Sequence, residues 1–379
     1  MRAVVERELA RLVGRAPDQG PTGAVLAVAG ARGAVEELAV GARQTHDAGG
    51  RLADPPPVTP ATRFDVGSVT KVAVTTALLM VLRGRGLLDL DAPVATWLPA
   101  FRGDGKQQVT VRDLLLHRGG LWEWRPVYVH AGDRDAALAF VQRLPLRSPP
   151  GSVRRYSDLG FMLLGAVVER LGGAPLEVLA HRLVFAPLGM VASGYRRRGA
   201  PATPPAPPPD PAGFAATSRG DAYERAMVAS GEPYPVTEDP DAFAGWRAHV
   251  LCGEANDGNA FHAFGGVAGH AGLFTTAADL CRFGLALLGL GEHESPWPPA
   301  VAREFLTDGP DPGQALGFRT ATAGGLRLAG HGGFPGAELA VVPERGLAVA
   351  LLSNRLHPQS TPVPIEPAWR AILDAILDT

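Results

Sequence analysis

Two residues carry the first chemical signal. Ser68 and Lys71 stand three apart in FDVGSVTKVAVTTALLMVL, residues 64–82, and Lys71 is one of only two lysines in the chain of 379 residues, the other being Lys106. On a helix, positions i and i+3 share a face with Cβ atoms about 5–6 Å apart, so this hydroxyl and this amine meet at a first turn. Gly67 permits a tight passage from strand into helix, and the serine then lies where backbone N–H groups have no intrahelical acceptor. A lysine buried there loses hydration, which predicts a lowered pKa and an accessible neutral amine. Arginine, which supplies nearly all the other cations, stays protonated and could not substitute. The pair reads as a nucleophilic serine with a basic partner. Ser68 is equally a good N-cap, and with ten serines and two lysines a chance Ser-x-x-Lys arises in about 5% of such chains. The surrounding elements must decide.

TGAVLAVAGARGAVEELAVG (22–41) holds two apolar runs around Gly30 to Gly33 and predicts a β-hairpin. ATRFDVG (61–67) reads as a third short strand. The helix after it is apolar on nearly every side (Val72, Val74, Ala77, Leu78, Leu79, Met80), which predicts burial. From about 85 to about 310, helical stretches alternate with Gly/Pro loops, and GAPATPPAPPPDPAG (199–213) predicts an exposed polyproline-like excursion. Strand signals return in LRLAG (326–330), AELAVVP (337–343) and LAVALLS (347–353), before a final amphipathic helix, AWRAILDAILD. Together these predict an α+β fold in one domain, 1–379. An antiparallel sheet built from both termini (about 1–84 and 311–379) is flanked by helices, with a mainly helical region (about 85–310) inserted.

Composition removes several function classes. A formal net charge of -2 without a basic stripe excludes a nucleic-acid footprint. Cys252 and Cys281 form no CxxC pair, and ten histidines lack HExxH or another ligand pattern, so neither a metal nor a cofactor is implied. The N-terminus, MRAVVERELARLVGRAP, places Val5, Leu9 and Leu12 on one helical face and has no apolar leader region. No run reaches membrane length. The expectation is therefore a cytoplasmic protein with no membrane partner. No Gly-x-Ser-x-Gly exists, and HGGF follows every candidate nucleophile instead of preceding it, which excludes an α/β-hydrolase. GGVAGHAG lacks the GxGxxG spacing and a surrounding βαβ unit.

SVTK after a short strand resembles the Ser-x-x-Lys of the penicillin-recognising serine hydrolases: β-lactamases, D-Ala-D-Ala carboxypeptidases and related esterases and D-aminopeptidases. The resemblance runs in order through RDLLLHRGGL (112–121), RYSDLGFMLLG (155–165), GGVAGHAGLFTTAADL (265–280) and GHGGFPG (330–336), over roughly residues 20–357. The class C β-lactamase and esterase branch is the most similar. It implies a β-lactamase/transpeptidase-like fold in which Ser68, Lys71 and Tyr156 are catalytic, the tyrosine phenolate taking the serine proton beside the lysine ammonium. Asp158 stands where the family more often has asparagine. It can hold Lys71 but cannot donate an amide proton to a substrate; capping the following helix is its other reading. The third motif reads His331-Gly332-Gly333. The resemblance implies that the glycines admit substrate to the backbone, that Phe334 N–H joins Ser68 N–H in an oxyanion hole, and that His331 bonds Tyr156 or the substrate. As bare sequence the glycines equally suit a hairpin turn. Asn354 falls where the family can contact substrate. Asp257, Asn259 and His270 read chiefly as organisers of glycine-rich loops.

These expectations amount to a serine hydrolase acting on a small ester, amide or peptide through an acyl-serine, esterase or peptidase-like. Histidine in place of the family lysine at 331 suits neutral substrates and, with no export signal, tilts the reading away from a β-lactamase or D-Ala-D-Ala carboxypeptidase. The alternative of another class is an inactive binding module of the same fold, against which the retention of Ser68, Lys71 and Tyr156 argues. The natural substrate and the oligomeric state are not legible in the sequence.

Overall fold

Apolar alternation at the two ends of the chain produces one six-stranded antiparallel sheet. In spatial order its strands are Arg319–Ala323, Leu326–Gly333, Ala337–Val342, Leu347–Ser353, Gly23–Gly30 and Val35–Gly41. The structure, a computed structural model, describes residues 2–14, 20–30, 35–199, 213–358 and 362–378. The expected proline-rich excursion therefore falls almost wholly outside the described residues. The first and last segments meet in the middle of the sheet, where Leu26 opposes Leu351 and Ala27 opposes Ala350. Both of these strands are buried on both faces, so each face needs a cover.

The covers come from opposite ends of the sequence. On one face, Val5, Leu9 and Leu12 of the helix Arg2–Val13 pack with Trp369, Ile372 and Ile376 of the helix Glu366–Leu377 against Leu26, Val349 and Leu351. The predicted N-terminal stripe is thus the buried one. On the other face, the helix Ala277–Leu287 packs against Val25, Ala27, Ala350 and Leu352, in one core that extends to the helix after Ser68. Each fully buried Leu, Met or Val there contributes roughly 1.5–3 kcal/mol.

The helix after Ser68 has an unusual start. Val69, Thr70 and Lys71 N–H each bond the carbonyl three residues back, at 3.0 Å, and a π-helical stretch, Lys71–Thr76, follows before the α-helix Ala77–Gly84. Thr75 Oγ1 donates to Gly269 O at 2.6 Å, and Thr70 Oγ1 accepts from Leu273 N at 3.1 Å. Both anchor the widened turn to the glycine-rich segment. Such π turns concentrate at functional positions. Beside it lies the helix Asp158–Gly172, buried from Leu159 to Val168. Its N-cap is Ser157, whose Oγ accepts from Gly160 N at 3.1 Å; Asp158 is inside the first turn and does not cap it.

Two local expectations change. Phe64–Asp65 is a strand, but it pairs with Leu273–Thr275 in a separate three-stranded sheet and does not extend the main one. Arg319–Ala323 forms an edge strand, although alanine is the only apolar residue type in RTATA. No single helix is long and apolar enough to cross a membrane.

Candidate active site

Ser68 sits where two backbones touch. Gly67 has φ +46°, and a Cβ there would lie 2.5 Å from Pro335 Cδ and 3.4 Å from Phe334 N. A Cβ on Gly333 would lie 2.0 Å from Val66 O. Both glycines are therefore required, and their close approach brings Phe334 N–H beside the nucleophile. Among the described residues neither Ser68 N–H nor Phe334 N–H has a protein acceptor. Asp65, which the sequence reading passed over, fixes this corner. Its carboxylate accepts from Gly67 N at 2.9 Å and from Asn256 N at 2.7 Å. Burial pushes its pKa up to about 6 against those two bonds.

Lys71 is fully buried and at the centre of the site. Its Nζ donates to Ser68 Oγ at 2.8 Å and to His270 O at 3.2 Å, and pairs with Asp158 Oδ1 at 2.7 Å. It also lies 5.0 Å from the centre of the Tyr156 ring. The expected fall in its pKa does not occur. Burial pulls the value down and is the largest single effect, but Asp158 and Tyr156 together outweigh it and hold the ammonium at about 12. The resting lysine is a proton donor to Ser68.

Tyr156 is packed between two neutral imidazoles, His117 at 4.6 Å and His331 at 5.9 Å between ring centroids. Burial first, then nearby cations, pushes both histidines well below the usual imidazole range. His331 is buried, and its Nδ1–H donates to Gly332 O at 2.7 Å. It approaches the Tyr156 ring and is not among the residues that line the cleft. Asn354 departs from its expected place at the substrate. It is 1% exposed, Oδ1 accepting from Gly23 N at 2.8 Å and Nδ2 donating to Thr22 Oγ1 at 2.8 Å. It ties the first strand to its neighbours. Asn259 is a loop organiser as expected, bonding Val127 N and Arg125 O.

The cleft over Ser68 has a volume of about 500 Å³. Ser68, Tyr156, Asp158, Gly332, Gly333 and Phe334 line it, as does Asp257, whose Oδ1 meets His270 Nε2 at 2.9 Å. Asp158, Asp257 and His270 offer ligand atoms within 4.8 Å of one another, but the Lys71 ammonium is already bonded to Asp158 there, so a metal ion would have to displace it. Two wall residues were missed. Glu338 lies across the sheet from Gly332, and burial raises its pKa to about 7. Arg319 is exposed, has no carboxylate within ion-pair distance among the described residues, and holds its guanidinium 5.2 Å from the centre of the Tyr156 ring. The hairpin glycines 324 and 325 were the signal for it, because a turn there sets Arg319 opposite Gly330, one residue from His331.

A serine bonded to a buried lysine, a tyrosine beside that lysine in the same cleft and free N–H groups at the same corner define an acyl-transferring serine hydrolase. The profile of the Beta-lactamase family matches residues 6–373, and the chain belongs to that family. It is 30% identical over 94% of its length, and 82% of the relative's, to the N-acetylmuramyl-L-alanine amidase of Bacillus subtilis (strain 168). The fold is shared with the class C β-lactamase of Rhodobacter sphaeroides (TM-score 0.68, 20% identity, 99% of each chain covered). It is shared equally with the D-amino acid amidase of Ochrobactrum anthropi SV3 (TM-score 0.71, 21% identity, 100% and 99% covered).

Proposed function

We propose that this chain hydrolyses an amide bond in a small peptide-like substrate carrying a free carboxylate, through an ester to Ser68. The observation that carries the proposal is the contact of Ser68 Oγ with Lys71 Nζ at 2.8 Å in a cleft whose wall presents Arg319, with no carboxylate within ion-pair distance of it among the described residues. Since Lys71 is held as ammonium, the serine proton goes to Tyr156, which enters the step as phenolate, as Oγ bonds the substrate carbonyl carbon. The charge developing on the carbonyl oxygen meets the N–H groups of Ser68 and Phe334. Tyr156 then returns the proton to the leaving nitrogen, the C–N bond breaks, and a water repeats the sequence to release the acid and restore Ser68. Lys71 and Tyr156 act as one coupled unit throughout.

An amide is favoured over an ester because the relative sharing 30% of its residues is named an amidase. The carboxylate is favoured by Arg319, whose planar fork suits it; this cation fills the gap left by the missing lysine at 331. The test compares an N-acyl dipeptide with its C-terminal amide, on the parent and on Arg319→Gln. A charge-assisted contact of about 1.5–3 kcal/mol predicts a KM about 10–100-fold higher for the free dipeptide alone. Equal effects on both peptides would refute the carboxylate assignment.

A further inference from the structure

The motif RDLLLHRGGL contains a residue that the chemistry above does not use. His117 follows the short helix Val111–Leu115 and takes φ +57°, a left-handed conformation usually left to glycine at such a position. Only one other non-glycine among the described residues, Asp104, has a positive φ. A side chain kept at a backbone position that disfavours it points to a role for that side chain.

The contacts of His117 converge on one neighbour. Its carbonyl accepts from Arg155 N at 2.7 Å, and its Nδ1 accepts from Ser157 N at 3.0 Å. These are the residues immediately before and after Tyr156. Its ring lies against the Tyr156 ring at 4.6 Å and against Phe161 at 5.3 Å. Resting on the reading of Tyr156 as proton carrier, we infer that His117 is a positioning residue, a three-point clamp that holds the Tyr156 phenol at Ser68 and Lys71. The left-handed turn is what lets one residue supply both its carbonyl and its imidazole to the same strip of backbone. A clamp accepting through Nδ1 must be neutral there. Burial keeps it so, assisted by the Lys71, Arg154 and Arg319 cations around it.

Tyr156 itself follows an irregular segment and precedes the Ser157 cap, so no regular element of its own fixes its ring. Without the clamp its hydroxyl is free to drift, and displacement of a reacting group by about 1 Å costs roughly 100-fold in rate.

The test uses the full chain and p-nitrophenyl acetate, with kcat and KM measured separately. His117→Phe keeps a ring and removes the Nδ1 acceptor; His117→Asn keeps an acceptor and tolerates positive φ. The expected result is a kcat lower by about 10–100-fold for His117→Phe with KM within about twofold, and recovery to within about fivefold of the parent in His117→Asn. In a Tyr156→Phe background, His117→Phe should add less than about a twofold further loss, because the group it positions has gone. If His117→Phe does not fold, His117→Gly, free to take the same φ, repeats the measurement and should lose at least as much. Parent kcat in a folded His117→Phe or His117→Gly, with Tyr156→Phe strongly slowed, overturns the clamp alone. Parent kcat in Tyr156→Phe overturns the clamp and the proton-carrier reading together.

Discussion

Replacing Asp158 by asparagine tests whether the Lys71 ammonium is held by charge. The pair is 2.7 Å long and the lysine side chain is fully buried. At an effective dielectric constant of about 20 the attraction is about 6 kcal/mol, most of which offsets the cost of burying the ammonium. What survives, with Tyr156 adding to Asp158, is the rise from 10.5 to about 12, about 2 kcal/mol in favour of the folded state. The folded value exceeds the unfolded one, so this stabilisation is complete below pH 10.5 and is lost as pH rises through about 12. The Asp158→Asn substitution keeps the shape and removes the charge, which lets burial act with less opposition. Lys71 should then fall by roughly 1–3 pKa units, with about 1–4 kcal/mol lost from stability at pH 7.5. Urea denaturation of Asp158→Asn reads the second quantity. The alkaline limb of its kcat/KM profile on p-nitrophenyl acetate reads the first and should move to lower pH. A limb and a stability both unchanged from the parent would refute the claim that Asp158 sets the state of Lys71.

Two further outcomes follow from the cleft walls. Gly333→Ala places a Cβ 2.0 Å from Val66 O, so the strand must retreat from Ser68 and carry Phe334 N–H with it; kcat should fall by about 100–1,000-fold, as for loss of one oxyanion donor. Glu338 is raised from 4.5 to about 7 by burial, which means its ionisation opposes folding increasingly as pH climbs between those values. Glu338→Gln should therefore be more stable than the parent by about 1–3 kcal/mol at pH 8, the gap closing as pH falls to about 4.5 in urea titrations.

Much of the site was legible because its motifs constrain backbone. Ser68 and Lys71 meet through the i, i+3 spacing, and Gly67 and Gly333 are glycines because two chains touch there. The sheet built from both termini was legible for a similar reason, since long apolar runs have few ways to be covered. What failed depended on partners distant in sequence. Burial of Lys71 alone predicts a lowered pKa; a carboxylate 87 positions away reverses the sign. Asn354 lies at the end of its strand as expected, but the register that sets Ser353 against Ala24 delivers it to Gly23 N and Thr22 Oγ1, away from the cleft. Arg319 was hard to place because RTATA alternates only threonine with alanine, a weak strand signal beside the Gly324–Gly325 turn, and it becomes an edge strand by pairing with Leu326–Gly333. His117 was quoted within a motif, yet its left-handed φ and its grip on both neighbours of Tyr156 exist only in three dimensions.

The central claim is that Ser68, bonded to Lys71, is the nucleophile. Intact mass after incubation with a fluorophosphonate tests it most directly, with Ser68→Ala and Lys71→Ala beside the parent. The account predicts a single adduct on the parent, none on Ser68→Ala, and much slower labelling of Lys71→Ala. An adduct of undiminished yield on folded Ser68→Ala, or none on the folded parent, would contradict it.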